Sequence, residues 1–273
     1  MSSNKVSPSL FELCEAACTK MSDEQYFADY RGYMSASQLK KFAEDPIEWV
    51  ENLDKRDDTP KGHLEFGKAL HGYVLEGIAP IVLETHNPRT GKSYGWGTKK
   101  HIECCEDNGV SDWKSVLTKT QGDMLMAMNK AIYANEEASG HLGCCTNFEF
   151  ALRGMLHDIR FQGKVDAMNT EGLIVDLKTY RKDADPWKQC FEYKYGWQAD
   201  IYRKLYEQVY GFKPEFVFIM VEKSENPDVE VINAESLSPN ASASDVEVAC
   251  AAFRYGVAEK DFRASLFTLG GLL

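Results

Sequence analysis

Two aspartates and a lysine lie close together near the middle of the chain, at spacings that could support metal-dependent hydrolysis. Asp176 and Lys178 are two residues apart in the segment Ile-Val-Asp-Leu-Lys-Thr, so on a β-strand both side chains point to the same face. Asp166 ends the preceding apolar segment, and a hairpin through residues 169–172 would bring it near Asp176. Carboxylates are the hard oxygen ligands that Mg²⁺ prefers, and a nearby lysine can stabilise developing negative charge.

This combination suits hydrolysis of a phosphodiester, which needs an activated water and neutralisation of charge on the phosphate. The acid-x-Lys triplet alone is not specific, because it also occurs at Asp112/Lys114 and Glu192/Lys194. Only Asp176 follows a run of branched apolar residues and an upstream strand that carries a second aspartate. A salt-bridged strand edge is the alternative interpretation of the triplet.

Four other side chains are candidates for the same site. Glu149 stands between two phenylalanines in a strand-like segment; it could be a further metal-site acid or a solvated strand position. His71 falls on the apolar face of a predicted helix, where a core histidine is the alternative to a metal ligand. Gln198 and Tyr202 are one helical turn apart and share a face, and ordinary helix surface is the alternative for both.

The elements that must hold these residues follow from the spacing of apolar side chains. Strands flanked by helices indicate an α/β (α+β) fold with a central mixed β-sheet. Helices are predicted from Ser35 or Ser37, from Pro46, and at 62–76, 113–134, 186–194, 196–210 and 243–264. A short amphipathic helix carrying Leu10, Phe11, Cys14 and Cys18 is predicted in a leader segment. Strands are predicted at 147–153, 160–168, 172–178, 215–222 and 228–233, and a loop or lid at 86–111.

Composition bounds the class of protein. The 273 residues are 44% hydrophobic, which is ordinary for a globular chain, and no apolar run is long enough to span a bilayer. The N-terminus has no apolar signal-peptide segment, so we expect a cytoplasmic protein without a membrane partner. The net charge of −11 counts against a nucleic-acid binder, because such proteins more often carry an excess of positive charge. It does not exclude one, because cations bound by carboxylates make the local charge of a metal site positive.

Five segments, in order, resemble the RecB-like and RecE-like nucleases of the PD-(D/E)XK superfamily. They are Ser35-Ala-Ser-Gln-Leu-Lys-Lys-Phe, Gly67-Lys-Ala-Leu-His71, Gly163-Lys-Val-Asp166, Ile174-Val-Asp176-Leu-Lys178-Thr179 and Gln198-Ala-Asp-Ile-Tyr202. The opening segment and the Asp-Pro after it look most like the RecE (exonuclease VIII) type. The resemblance implies a restriction-endonuclease-like core forming a single nuclease domain over residues 30–273, after a leader at 1–29.

The resemblance also implies roles for individual residues. His71, Asp166 and Asp176 would be metal ligands, and the Leu177 carbonyl would complete the shell around Mg²⁺, for which Mn²⁺ can substitute. Lys178 would be the catalytic lysine. The remaining implied residues, which would support the site and the DNA backbone, are Gln198 and Tyr202.

The implied activity is degradation of double-stranded DNA from its 5′ ends in phage-type homologous recombination. The expected partners are DNA ends, a RecT-like single-strand annealing protein and further copies of the chain in a ring. Some RecB-like relatives hold an iron–sulfur cluster on one upstream and three downstream cysteines. Such a cluster is not expected here, because only Cys250 lies near the C-terminus. Two alternatives stay open: a structure-specific or restriction-type endonuclease on the same core, and a catalytically inactive nuclease-like DNA-binding module.

Overall fold

A computed structural model describes residues 6–28, 32–53, 61–84, 87, 89–259 and 261–262. Within them the helices are α1 Asp23–Ala28, α2 Ala36–Glu44, α3 Pro46–Asn52, α4 Gly62–Glu76, α5 Lys99–Asp107, α6 Lys119–Ala134, α7 Glu136–Gly143, α8 Pro186–Glu192, α9 Tyr195–Tyr210 and α10 Pro239–Ala258. The strands are β1 Ala17–Lys20, β2 Ile81–Leu83, β3 Val116–Thr118, β4 Asn147–Leu156, β5 Ile159–Met168, β6 Leu173–Arg181, β7 Glu215–Lys223 and β8 Val229–Asn233. Short 3-10 helices span Pro8–Phe11, Trp113–Ser115 and Ala234–Ser236.

The main sheet has the strand order β1-β4-β5-β6-β7-β8. Neighbouring strands run antiparallel except β6 and β7, which are parallel over their whole length. A second, two-stranded parallel sheet is formed by β2 and β3. The predicted mixed central sheet is therefore confirmed.

Side chains of the sheet alternate between two apolar layers, as β7 illustrates. Phe216, Phe218 and Met220 face one layer, which is completed by α2, α3, α9 and α10, whereas the residues between them face a second layer completed by α4, α6 and α7. Burying both faces of a strand produces the continuous run of apolar residues seen in β7. The result is a sheet with helices on both faces.

Helix starts agree with the capping signals in the sequence. The Ser35 hydroxyl accepts from the Gln38 amide, and the Gln38 side chain accepts from the Ser35 amide, which is the capping box expected at a helix N-terminus. Asp45 caps α3 by accepting from the amides of the next two non-proline residues. Helix α4 has the predicted bounds and ends at Gly77, whose φ of 67° lies in the left-handed region.

Four element predictions are wrong, and one of them is the closing helix, which is predicted at 243–264 but is observed as α10 at Pro239–Ala258. The leader forms a 3-10 helix and then β1, and not the predicted amphipathic helix. Its Leu10 packs in the apolar layer completed by α2, α3, α9 and α10, and β1 pairs with β4. The predicted loop at 86–111 contains α5, which Thr98 caps. The helix predicted from residue 113 begins only at Lys119, because Thr118 ends β3 and caps α6. Residue 29, the predicted end of the leader, lies outside the described residues.

Among the helices that the structure describes, none is both long and apolar enough to cross a bilayer.

Candidate metal centre and active site

The β5–β6 hairpin brings the two predicted aspartates together. Its turn is held by the Asn169 side chain, whose Oδ1 accepts from the amides of Glu171 and Leu173 at 3.0 Å each. Beyond the last paired residues, the Leu177 amide donates to Asp166 Oδ2 at 2.8 Å. The hairpin predicted from the sequence is confirmed, and it places Asp166 against the strand that carries Asp176.

Three side chains from different elements form a cluster of possible metal ligands. His71 comes from α4, Glu149 from β4 and Asp166 from β5, and one ligand atom of each lies within 4.8 Å of the others. His71 Nδ1 is 3.9 Å from Glu149 Oε1 and 3.6 Å from Asp166 Oδ1. One imidazole nitrogen and two carboxylates form a donor set that suits a divalent cation.

The hydrogen bond on the far side of the His71 ring determines which nitrogen faces this cluster. His71 Nε2 lies 2.9 Å from the Leu177 carbonyl, which can only accept, so Nε2 carries the proton when the ring is neutral. The Nδ1 lone pair then points towards the two carboxylates. Orientation of a metal-binding histidine by a backbone carbonyl is common, whereas direct coordination by the Leu177 carbonyl stays a prediction.

Asp176 is held by two other side chains and lies outside the three-residue cluster. Its Oδ1 accepts from Gln198 Nε2 at 2.6 Å, and its Oδ2 is 2.5 Å from Lys178 Nζ. The Lys178 contact is a close ion pair without good hydrogen-bond geometry at Oδ2, which is buried. Gln198 and Lys178 therefore both contact the predicted catalytic aspartate, and ligation of a metal by Asp176 stays a prediction.

Burial and neighbouring charges set the ionisation of the site. Burial raises the pKa of Asp166 to about 6; Asp176 and Glu149 raise it as well, while His71 and Lys178 oppose the rise. For Lys178, burial lowers the pKa, but the carboxylates of Asp176 and Asp166 raise it more, and the net direction is upward. Lys178 therefore keeps its positive charge at neutral pH.

Glu149 adopts a backbone conformation that is rare for residues other than glycine. Its φ is 60°, although it lies in β4 opposite Asp166 in the register that pairs Phe148 with Ala167. Strained backbone of this kind persists where the surrounding structure holds it and is frequent at functional sites. The other Glu149 oxygen is 2.5 Å from Lys164 Nζ, so the carboxylate is fixed by the strand that carries Asp166.

Tyr202 is buried against β5 rather than on the outer face of its helix. A Cβ at position 163 would lie 2.2 Å from the Tyr202 ring, so Gly163 is required for the ring to pack there. Burial raises the pKa of Tyr202 well above its usual value, and the phenol stays neutral. Tyr202 thus supports the strand that carries Asp166, and its predicted contact with DNA stays a prediction.

Sequence reasoning missed three residues of this region. Lys164 lies two residues before Asp166 and so shares its strand face, a signal that alternation alone could have supplied. Lys40 and Tyr195 come from α2 and the start of α9, and the Lys40 and Lys178 ammonium groups lie 5.5 Å and 5.3 Å from the centroid of the Tyr195 ring. Their approach depends on the packing of distant elements and has no local signal.

Replacing His71 by alanine tests whether it is a ligand or only a packed side chain. We expect His71→Ala to weaken Mn²⁺ binding by ~100-fold or more, because outer partners of metal ligands alone cost 10–100-fold. Thermal stability should change little, since the side chain is 28% exposed. Calorimetric titration with Mn²⁺ measures the first quantity, and His63→Ala, an exposed histidine of the same helix, is the control. Unchanged Mn²⁺ affinity in His71→Ala would make it a structural residue.

Comparison with known proteins places this geometry in a family. The profile of a family described as a PDDEXK-like domain of unknown function matches residues 35–254. A crystal structure of a Eubacterium rectale protein that carries a provisional exonuclease name is similar in fold, with a TM-score of 0.61 and 19% identity over 93% of this chain and 88% of that one. No curated protein matches.

The family match covers most of the chain and includes every residue of the candidate site. PDDEXK nucleases use divalent metals, and the described residues contain a cluster with a donor set for one. Both findings support a hydrolytic nuclease. The chain belongs to the PDDEXK-like family, within the PD-(D/E)XK nuclease superfamily.

Proposed function

We propose that the protein is a Mg²⁺-dependent deoxyribonuclease that hydrolyses phosphodiester bonds of DNA. One observation carries the proposal. The β5–β6 hairpin brings the ligand cluster around Asp166 next to the ion pair of Asp176 and Lys178. A set of carboxylates beside a charged lysine is what hydrolysis of an anionic ester requires.

Each residue of the site would have a separate role. His71, Glu149 and Asp166 would hold the cation, which, when bound, supplies an activated water and neutralises charge on the phosphate. Lys178 contacts a phosphate oxygen and stabilises charge that develops there. Asp176 positions Lys178, and Gln198 in turn fixes Asp176 by donating to Oδ1.

Within this class we propose a 5′-to-3′ exonuclease that acts on double-stranded DNA ends during homologous recombination. The RecE-like segment at α2, which includes the capping box of Ser35, supports this choice, and so does the fold likeness to a protein with a provisional exonuclease name. A ring of subunits around DNA would explain processive digestion by a chain of net charge −11, because enclosure prevents escape even when the electrostatic grip is weak.

The preference for ends tests this proposal against its nearest rival. The same metal site hydrolyses any phosphodiester that reaches it, so access must separate an exonuclease from an endonuclease. We expect rapid Mg²⁺-dependent loss of linear duplex DNA with release of mononucleotides, while relaxed closed circles stay intact. Duplexes labelled at either strand end, followed on denaturing gels, report the polarity, and light scattering reports the assembly state.

The possible outcomes point to different conclusions. Nicking of closed circles at a comparable rate would replace the exonuclease with an endonuclease and leave the metal site in place. Digestion from the 3′ end would overturn the polarity alone. DNA binding without cleavage in either Mg²⁺ or Mn²⁺ would favour an inactive binding module. A processive monomer would remove the ring.

A further inference from the structure

A row of aromatic rings leads from the catalytic lysine to the protein surface. Lys178 Nζ lies 5.3 Å from the centroid of the Tyr195 ring. The Tyr195 and Tyr193 rings are 5.9 Å apart and inclined by 32°. Tyr193 is 56% exposed, so its ring is open to solvent only one ring away from Lys178. A large exposed ring beside an active site offers a surface on which a nucleobase can stack.

A second lysine accompanies these rings. Lys40 Nζ donates to the Tyr193 carbonyl at 2.9 Å and lies 5.5 Å from the centroid of the Tyr195 ring. In the part of the chain that the structure describes, no carboxylate lies at ion-pair distance from Lys40, whereas Lys178 is paired with Asp176. The hydrogen bond to Tyr193 uses one of three ammonium protons, so Lys40 can still donate to an anion.

Several positive charges meet at this point of a chain that is acidic overall. Burial, together with the charge of Lys178, lowers the pKa of Lys40 to about 8, while Asp176 and Glu44 oppose the decrease and Lys194 adds to it. Lys194 lies between the two tyrosines with a φ of 49°, an uncommon conformation for a lysine. An anion bound here would relieve the repulsion that Lys178 and Lys194 exert on the Lys40 ammonium group.

We propose that Tyr193 and Lys40 form a subsite for the nucleotide next to the scissile phosphate, with the base stacked on the Tyr193 ring and the phosphate held by Lys40. The inference rests on the proposed nuclease function and adds a substrate contact to it. Stacking on an aromatic ring tolerates every base, so the subsite would hold DNA without sequence preference. A stacked base must leave the duplex, which favours a frayed or single-stranded terminus as the bound form.

Fluorescence of 2-aminopurine tests the stacking contact directly. Duplexes with frayed ends carry the analogue at each terminal position in turn and are mixed with protein carrying the Asp176→Asn replacement, so that they are not consumed. We expect quenching at one position, lost in Tyr193→Ala and kept in Tyr193→Phe, which retains the ring. Tyr255→Ala is the matched control, because Tyr255 is 48% exposed and lies on α10, which supplies none of the site residues named above.

Salt dependence tests the phosphate contact. Loss of one phosphate contact should weaken binding by ~10-fold and reduce the slope of log affinity against log salt by about one. We expect this of Lys40→Met, whereas Lys40→Arg should keep the slope. In active protein, Tyr193→Ala should raise KM by ~10-fold and leave kcat almost unchanged, because stacking is present in both the ground state and the transition state.

The failure of this inference is distinguishable from failure of the proposed function. If the wild type cleaves DNA and quenching survives in Tyr193→Ala, the stacking surface is elsewhere. An unchanged salt slope in Lys40→Met would likewise remove Lys40 from the subsite. If the wild type neither binds nor cleaves DNA, the proposed function falls and the subsite falls with it.

Discussion

Replacing Asp176 by asparagine is expected to reduce metal-dependent DNA cleavage by ~1000-fold, equivalent to roughly 4 kcal/mol of transition-state stabilisation. Asparagine keeps the shape of the side chain and can still accept the hydrogen bond from Gln198. It removes the charge that pairs with Lys178 at 2.5 Å. The lysine would lose its positioning partner, and the site would lose one of the negative charges that attract a divalent cation. Initial rates on labelled linear duplex DNA measure the effect.

The chain contains its own control for this replacement. Asp112 stands two residues before Lys114 in the same acid-x-Lys pattern, but its side chain caps a 3-10 helix. Asp112→Asn should therefore leave cleavage unchanged, since asparagine also caps helices well. Circular dichroism should show that Asp176→Asn stays folded. Lys178 would lose its ion-pair partner, but its side chain is 22% exposed, so its charge can be solvated by water. Turnover like that of the wild type in folded Asp176→Asn would contradict the assignment of Asp176 to the active site.

Replacing Asp166 by asparagine should abolish activity and also make the metal-free protein more stable. At about pH 8 we expect the free energy of unfolding to rise by on the order of 2 kcal/mol, from the link between a pKa shift and stability. Asparagine can accept from the Leu177 amide as Asp166 Oδ2 does. Its amide group can also donate to the His71 Nδ1 lone pair that faces it. Urea denaturation in the presence of a chelator measures the change.

The direction follows from the raised pKa of Asp166. An unfolded aspartate has a pKa of about 3.9, whereas burial raises the folded value to about 6. Between these values the folded protein binds more protons at Asp166 than the unfolded chain does, so stability falls as pH rises. Above about pH 6 the whole penalty is present. The advantage of Asp166→Asn should therefore be small near pH 4 and grow to a plateau above pH 6.

Two comparisons make this prediction specific to Asp166. Asp176→Asn, the same chemical change on the neighbouring strand, removes a favourable ion pair with Lys178 and should not stabilise the protein. Adding Mg²⁺ should stabilise the wild type more than Asp166→Asn, because the variant lacks a ligand charge. An Asp166→Asn protein that is less stable than the wild type across pH 4–8 would show that the carboxylate is not held at a cost.

The centre of the fold could be predicted from the sequence because its signals are local. The strands of the β5–β6 hairpin are marked by apolar runs, and the turn is marked by Asn169 and Gly172. Alternation then placed Asp176 and Lys178 on one face of β6 and Leu177 in the opposite core, where it is 1% exposed. Helix α4 was readable for the same reason, since His71 and its apolar neighbours recur at helical spacing.

The parts that the sequence did not predict depend on contacts between distant segments. β1 is a short edge strand whose apolar residues also fit a helix, and only pairing with β4 decides between them. The ion pair of Lys164 with Asp23 joins β5 to α1 across 141 residues. Lys40 reaches the site because α2 packs against α9, and Tyr195 enters it from the start of α9. Periodicity within a single segment contains none of these contacts.

Crystals soaked with Mn²⁺ and measured for anomalous diffraction would test the central claim most directly. We predict an anomalous peak at the cluster of His71, Glu149 and Asp166, where the ligand atoms already lie within 4.8 Å of one another. The peak should disappear in Asp166→Asn crystals treated in the same way. Absence of a peak there in wild-type crystals at a Mn²⁺ concentration that supports cleavage in solution would contradict the account.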